Sequence, residues 1–267
     1  MSGRLLLQTL RWQRLSLIVV VLAGFGWGLL IPVIYGAFSD VVRDLVNSGA
    51  FPSELMNFGS GSLFTLPGAI TLGFQHPLAI AMVAIFAVGS GATAVAGERA
   101  RGTLEVLLAR PISRRTLYLS ILVALLVAVL FVLMAILGGM VAGASIQGLI
   151  DELDLSQLPL VLLNGFGLWA AFTTFALAAS ITFDRPGPAI GLSLAYLVMN
   201  YFLEILGSLW ADAAWTQDYS LFHHFDPGAI LGGEGVLLDL VIVFVAAIVP
   251  VIYALVAFPR RDLAAPA

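Results

Sequence analysis

Seven of the chain's 28 charged residues fall in one short run, ERARGTLEVLLARPISRR at positions 98 to 115, and almost everything around it is apolar. Glu98, Arg99, Arg101 and Glu105 alternate there with Leu104, Leu107 and Leu108. Set between long apolar segments, these groups mark the place where the chain is expected to act on the soluble world. They do not suit hydrolysis of a nucleotide. All twelve cationic residues are arginine, and a Walker A loop needs a lysine to reach the phosphates. Any use of ATP must therefore be borrowed from another polypeptide.

Other reactive side chains are scarce. Gly59-Ser60-Gly61-Ser62 with His223 and His224 raises an intramembrane serine protease, but a nucleophile needs a base in a site shielded from water. Ser60 sits instead among turn-forming residues in a polar loop, and a plain Gly/Ser turn is the favoured reading. HExxH is absent, which excludes the usual zinc-protease helix. His76, His223, His224 and Asp226 are of metal-ligating type. Adjacent histidines diverge on any regular element, however, so ordinary hydrogen bonding is preferred and no metal site is expected. Glu204, beside Asn200 and Tyr201, is the one carboxylate well inside an apolar segment. A charge there costs about 2.5–3.5 kcal/mol at mid-bilayer, so it faces a cavity, a partner or the interface.

Long apolar helices must position these groups. The chain is 60% apolar and 10% charged, with a mean hydropathy of +1.03. Soluble domains are far more charged, at about a quarter of their residues. One span needs about 20 apolar residues. The sequence predicts an all-α membrane protein with six spans near 15–38, 76–97, 116–143, 157–182, 187–207 and 236–258, forming one domain over residues 1–267. Eleven of twelve arginines then lie on one face with both termini, leaving Arg43 opposite, and the positive-inside rule makes that face cytoplasmic. Without cysteine, the outer loops hold their shape by packing alone. Ahead of the first span, Leu6, Leu7 and Leu10 with Arg4, Arg11 and Arg14 suit either an amphipathic helix on the inner leaflet or a simple basic anchor. Small residues at four-residue spacing, Ala135-Gly139-Gly143 and Gly187-Gly191-Ala195, predict close helix contacts within the subunit or across a dimer.

Within residues 98–115 the leucines share one helical face, predicting a short amphipathic helix that stops before Pro111, with Ser113 capping the next span. The expected result is a stiff strut, rigidly continuous with the spans on either side. Past the fifth span, residues 208–235 carry Trp210, Trp215, Tyr219, Phe222 and Phe225, a density suited to the membrane interface.

Glu98-Arg99, Arg101-Gly102-Thr103-Leu104-Glu105, Leu108 and Pro111-Ile112-Ser113-Arg114 resemble the "E-R…G-T-L-E-x-L-L…P-I-S-R" stretch of ABC-2 type transporter permeases, the membrane subunits of ATP-driven exporters. Tyr219 to Pro227, YSLFHHFDP, is similar to that family's outer segment before the last span, and Phe258-Pro259-Arg260-Arg261-Asp262-Leu263 to its ending. Ser120 stands where a lysine is frequent, and His224 where an aromatic is usual.

The resemblance implies a non-catalytic permease subunit in the cytoplasmic membrane of a prokaryote. Its 98–115 segment would be a coupling helix seated on a separate ABC ATP-binding subunit, present in two copies and carrying the ATP and Mg; the chain itself would bind no cofactor. Glu98, Arg99, Arg101, Gly102, Thr103, Leu104, Glu105 and Leu108 would form that contact, with Leu104 and Leu108 filling a groove. Segment 208–235 would be an outer re-entrant element, and Asn200, Glu204, Phe222 and Phe225 would line the route or its gate. A second permease subunit, as homodimer or heterodimer, and membrane lipid complete the expected partners; nucleic acid is not among them. The same strut would also serve an ATPase-docked factor that remodels an envelope component without moving a solute.

Overall fold

Proline decides how the second span begins. The computed structural model describes residues 3–48, 57–58, 61–62, 65–104 and 112–261. In it Pro77 follows a residue forced into extended geometry, His76 having φ −66° and ψ 138°. Helix α2 (Leu66–Gln75) therefore ends at His76, and α3 (Pro77–Thr93) starts there at an angle of 49°. His76 Nδ1 accepts the Leu78 N–H and so caps α3. Helix α2 was not expected from the sequence, because its ten residues are too few for a span and carry no charge to mark them.

The first helix, α1 (Gly3–Asn47), is continuous, and no break separates its basic start from its apolar part. It lies against α5 (Arg114–Ile146), and glycine makes that approach possible. A Cβ on Gly28 would stand 2.0 Å from the Ile136 carbonyl oxygen, and one on Gly139 would stand 2.1 Å from that of Phe25. Gly143 meets Leu29 in the same way, at 2.4 Å. The predicted third-span stripe is thus buried against α1. The fifth-span stripe is not: Gly187 and Gly191, on α7 (Pro186–Leu209), have nothing within 4 Å of a built Cβ. Helix α7 instead turns Ala189, Ser193, Leu197, Asn200, Glu204 and Gly207 inward.

Helix α6 (Leu158–Thr182) is the centre of the bundle, packed against α5, α7 and the last helix, α9 (Leu237–Arg260). The most apolar stretch of α6 is 72% buried, against 17% for that of α9. Leucines, isoleucines and valines stay exposed along α1, α7 and α9, as hydrocarbon contact requires and water would penalise. Five described helices are long and apolar enough to cross a membrane, and the bent α2–α3 pair makes a sixth if counted as one. Before α6, Ile150–Glu152 and Leu155–Gln157 form short 3-10 turns. The segment after α7 folds as a 3-10 helix, Ala211–Tyr219, and a short helix α8, Pro227–Leu231. A two-residue antiparallel bridge pairs Asn57 with Ser62 and Phe58 with Gly61. Ser60 lies outside the described residues.

Candidate functional site

Beyond α3 the chain does not run on as one rod. It turns at Ala94–Val95, forms α4 (Ala96–Ala100), turns again at 101–103, and re-enters helix at Leu104. This corrects the expected strut: the link to α3 is jointed, because two turns interrupt the helix. Residues 105–111, with Glu105 and Leu108, lie outside the described residues.

Each joint is held by hydrogen bonds. At the first, Ser180 Oγ of α6 accepts the backbone N–H groups of Val95 and Ala96 at 2.9 and 3.0 Å, satisfying two donors that open a helix without an intrahelical partner. At the second, the Thr103 N–H donates to Glu98 O and the Gly102 N–H to Arg99 O, both at 3.0 Å. Gly102 has φ +71°, so this is a Schellman cap in which glycine supplies the left-handed residue. The glycine of the motif is thus a structural requirement of the turn. The Glu98 carboxylate braces it, pairing with Arg101 and accepting the Thr103 hydroxyl at 2.5 Å.

The arginines divide into two groups. Arg101 is outward, with 62% of its side chain exposed. Arg99 is turned inward at 12% and meets Asp184 at 2.8 Å. Asp184 follows α6 and also receives Arg261, which donates in addition to the carbonyls of Ile181 and Phe183 at the α6 C-terminus. A cation among those carbonyls is favoured by the helix dipole. Burial draws the Arg261 pKa below its ordinary value, and Asp184 acts against that. Arg114 donates likewise to the terminal carbonyls of α9, at Phe258 (3.2 Å), Pro259 (3.4 Å) and Arg261 (2.5 Å). Ser113 caps α5, accepting the Thr116 N–H at 3.1 Å. Leu104, expected to fill a partner's groove, is 3% exposed and packs with Leu117, Tyr118 and Phe258 of this chain. Apolar packing inside the subunit takes it up. Within the 98–104 turn the exposed charge is Arg101, with Glu98 and Thr103 as its supports.

A second polar cluster lies at the opposite end of the bundle. The 3-10 helix folds back along α7, where Gly207 leaves room for it: a Cβ there would meet Gln217 Cγ at 2.4 Å. Thr216 donates to Leu203 O (2.9 Å), Ser220 to Asn200 O (2.9 Å), and the Leu221 N–H to Asn200 Oδ1 (2.9 Å). Glu204 Oε1 accepts Gln217 Nε2 at 2.9 Å and stands 3.9 Å from His223 Nδ1. Phe222 is buried among Trp169, Phe172 and Tyr201, with ring centroids 6.3, 5.5 and 5.6 Å away. Phe225 lies edge-on to Phe74 at 5.5 Å, and its carbonyl accepts Gln75 Nε2 at 3.0 Å. Asp226 caps α8 through the Ala229 N–H, while Gly228 donates to Thr71 of α2 at 2.7 Å. Asn200, Glu204, Phe222 and Phe225 are therefore brought into one region.

The metal-type residues do not converge. His224 meets Asp239 at 2.8 Å, His223 faces Glu204, and His76 and Asp226 cap different helices. No cluster of three or more such ligands occurs among the described residues.

Sequence reasoning missed Ser180, Asp184 and Gln217. For Asp184 a signal existed, an acid beside Arg185 in the short turn between two spans on the basic face; Ser180 and Gln217 carried none.

No curated protein and no solved structure matches the chain. A family does, the one described as ABC-2 family transporter protein, over residues 6–263. The match takes in the braced 98–104 turn, the long apolar helices and the segment folded back along α7 together. The chain belongs to the ABC-2 family of transporter proteins and is a multi-pass membrane permease component.

Proposed function

We propose that this chain is the permease subunit of an ABC exporter in a prokaryotic cytoplasmic membrane. The basic end faces the cytoplasm, as the arginine bias requires, and docks a separate ABC ATPase, two copies per assembly, which holds the ATP and Mg. The observation that carries this reading is the Glu98–Arg101–Thr103 turn. It sits at the junction of α3 and α5, is braced internally, and presents Arg101 outward. Arg101 and Glu105 supply the charged contacts with the ATPase, and Glu98 with Gly102 fixes the direction from which they approach. Two permease copies enclose the route between them, and the open Gly187/Gly191 face of α7 is free for such a contact. At the outer end Asn200, Glu204, Phe222 and Phe225 form the closure. Few charges line the bundle, which favours an apolar cargo such as a lipid, hydrophobic drug or peptide.

The test is reconstitution with a candidate partner ATP-binding-cassette ATPase. Glu98→Gln, and Arg101→Ala combined with Glu105→Ala, are expected to lower permease-stimulated ATPase activity roughly tenfold, equivalent to about 1.4 kcal/mol of coupling, with membrane insertion intact. Unchanged stimulation in both variants refutes the docking role.

A further inference from the structure

Glu204 presents an unusual combination for a carboxylate on a membrane helix. Its side chain is 6% exposed, one oxygen accepts Gln217 Nε2 at 2.9 Å, and the other has no hydrogen-bond partner among the described residues. A buried carboxylate with one oxygen unsatisfied is costly, because desolvation falls on the charged form. Among the described residues, the titratable cation that can relieve this charge is His223, whose Nδ1 lies 3.9 Å from Glu204 Oε1. That distance is an ion-pair separation and too long for a hydrogen bond.

The two groups stand on opposite sides of a seam. Glu204 belongs to α7, whereas His223 and Gln217 belong to the segment folded back upon it. Gln217 donates also to Ser208 at 3.1 Å, so Glu204, Ser208, Gln217 and His223 make one bridge across the seam. The remaining attachments to α7 are neutral hydrogen bonds from Thr216, Ser220 and Leu221, so across this seam the ionic member is the one that pH can alter.

We propose that Glu204 and His223 form a proton-binding site at the outer end, and that its occupancy holds the 3-10 helix closed against α7. The proton comes from water at the outer face: His223 takes it up as imidazolium beside the Glu204 carboxylate, and returns it when the segment lifts. Glu204 faces His223 from α7, Asp218 from the 3-10 helix and Asp239 from α9, while His224 beside it is occupied by Asp239. Glu204 is the main cause of the raised His223 pKa; partial burial opposes it, and Asp218 and Asp239 add to the rise. A histidine raised in the closed state contributes its full stabilisation below the ordinary value near 6.5 and loses it as pH climbs through the raised value. Acidic conditions outside therefore hold the closure and neutral to alkaline conditions release it.

The inference rests on reading this segment as the outer closure, but its test needs no ATPase, so failure here and failure of the docking role are separable. The chain has no cysteine, so a single introduced thiol reports alone. Ala213→Cys, buried on the inner side of the 3-10 helix, is the reporter, and Ala211→Cys, exposed on the same helix, is the reference. Both full-length proteins are placed in lipid nanodiscs and labelled with a hydrophilic maleimide. The ratio of reporter to reference rates corrects for thiol ionisation. It is expected to rise about fivefold between roughly pH 5.5 and pH 8.5, and to stay flat in Glu204→Gln and His223→Gln backgrounds. His223→Lys, cationic across the whole range, is expected to keep the reporter protected at both ends. A flat ratio in the native background, or the same rise with Glu204→Gln, overturns the proposal, as does a pH-dependent ratio in His223→Lys.

Discussion

Adjacent glycines on α5 offer a test of the α1–α5 contact with its own control. Gly138 and Gly139 are neighbours, yet a Cβ on Gly138 meets nothing within 4 Å, whereas one on Gly139 stands 2.1 Å from Phe25 O and 2.8 Å from Leu29 N. Both obstacles are helix backbone and cannot rotate away. Moving from 2.1 Å to ordinary contact at 3.4 Å requires the helices to part by about 1.3 Å there. A gap of that size forfeits a quarter to a half or more of the dispersion attraction for the facing atoms, and overpacking of this kind costs about 1–3 kcal/mol. Against it stands a helix-propensity gain of about 1 kcal/mol, which Gly138→Ala enjoys unopposed. The propensity gain is common to both, so the two alanine variants should differ by the overpacking cost, about 1–3 kcal/mol, with Gly139→Ala the less stable and Gly138→Ala neutral or better. At roughly 2–4 °C per kcal/mol this is a difference of about 2–12 °C in Tm, readable by size-exclusion after heating in detergent. The partner surface repeats the contrast, since Gly28 meets Ile136 O at 2.0 Å and Gly26 meets nothing. Equal shifts for Gly138→Ala and Gly139→Ala would refute the close approach.

Two further substitutions separate the joints of the basic end. Gly102→Ala places an L-residue at φ +71°. That should cost about 1–2 kcal/mol. No described residue lies within 4 Å of its Cβ, so the loss expected is conformational; Gly102→Asn, which tolerates left-handed geometry better, should recover part of it in the same thermal assay. Ser180→Ala leaves the buried N–H groups of Val95 and Ala96 without their acceptor, at about 1–3 kcal/mol for each donor. Amide exchange at Val95 and Ala96 should then quicken while that within α6 does not, and unchanged exchange would show that Ser180 is not the cap.

Long apolar runs made the spans legible, because a bilayer demands length and hydropathy and the α5, α6, α7 and α9 segments supply both without interruption. The Ser113 cap and the third-span stripe were legible for the same reason, since each is a local pattern. What escaped depended on contacts distant in sequence. Helix α2 is short and uncharged, so its role comes from tertiary contacts, Thr71 with Gly228 of α8 and Gln75 with the Phe225 carbonyl among them. Leu104 carries an amphipathic pattern whether its apolar face meets a partner or Leu117 and Tyr118 of the same chain, and periodicity cannot tell these apart. Arg99 and Arg101 look alike in the motif, yet one turns inward because Asp184, 85 positions away, is there to receive it. Glu204 was visible as an intramembrane acid, but Gln217 and His223 reach it only because the chain doubles back at Trp210.

The proposed coupling needs a mechanical connection between its two ends, and α6 has the attributes of one. At its basic end it is gripped by α4, through Ser180 and, one residue past the C-cap, through Asp184 with Arg99. Near its other end a Cβ on Gly165 would stand 3.0 Å from the Phe225 ring, and Trp169 and Phe172 pack on Phe222. From Gly165 to Ser180 the helix rises about 22 Å, without an internal proline and buried for most of its length. A rod of that kind has little freedom to absorb a displacement by bending, since kinks require proline, a bulge or an inserted side chain. Helix α3 lacks this stiffness: the π-helical turn Ile85–Ser90 and the break at Ala94–Val95 give it two places to yield. Motion imposed on residues 98–104 is therefore better conveyed sideways into α6 than back along α3, and it arrives at Phe222 and Phe225, the residues of the proposed closure.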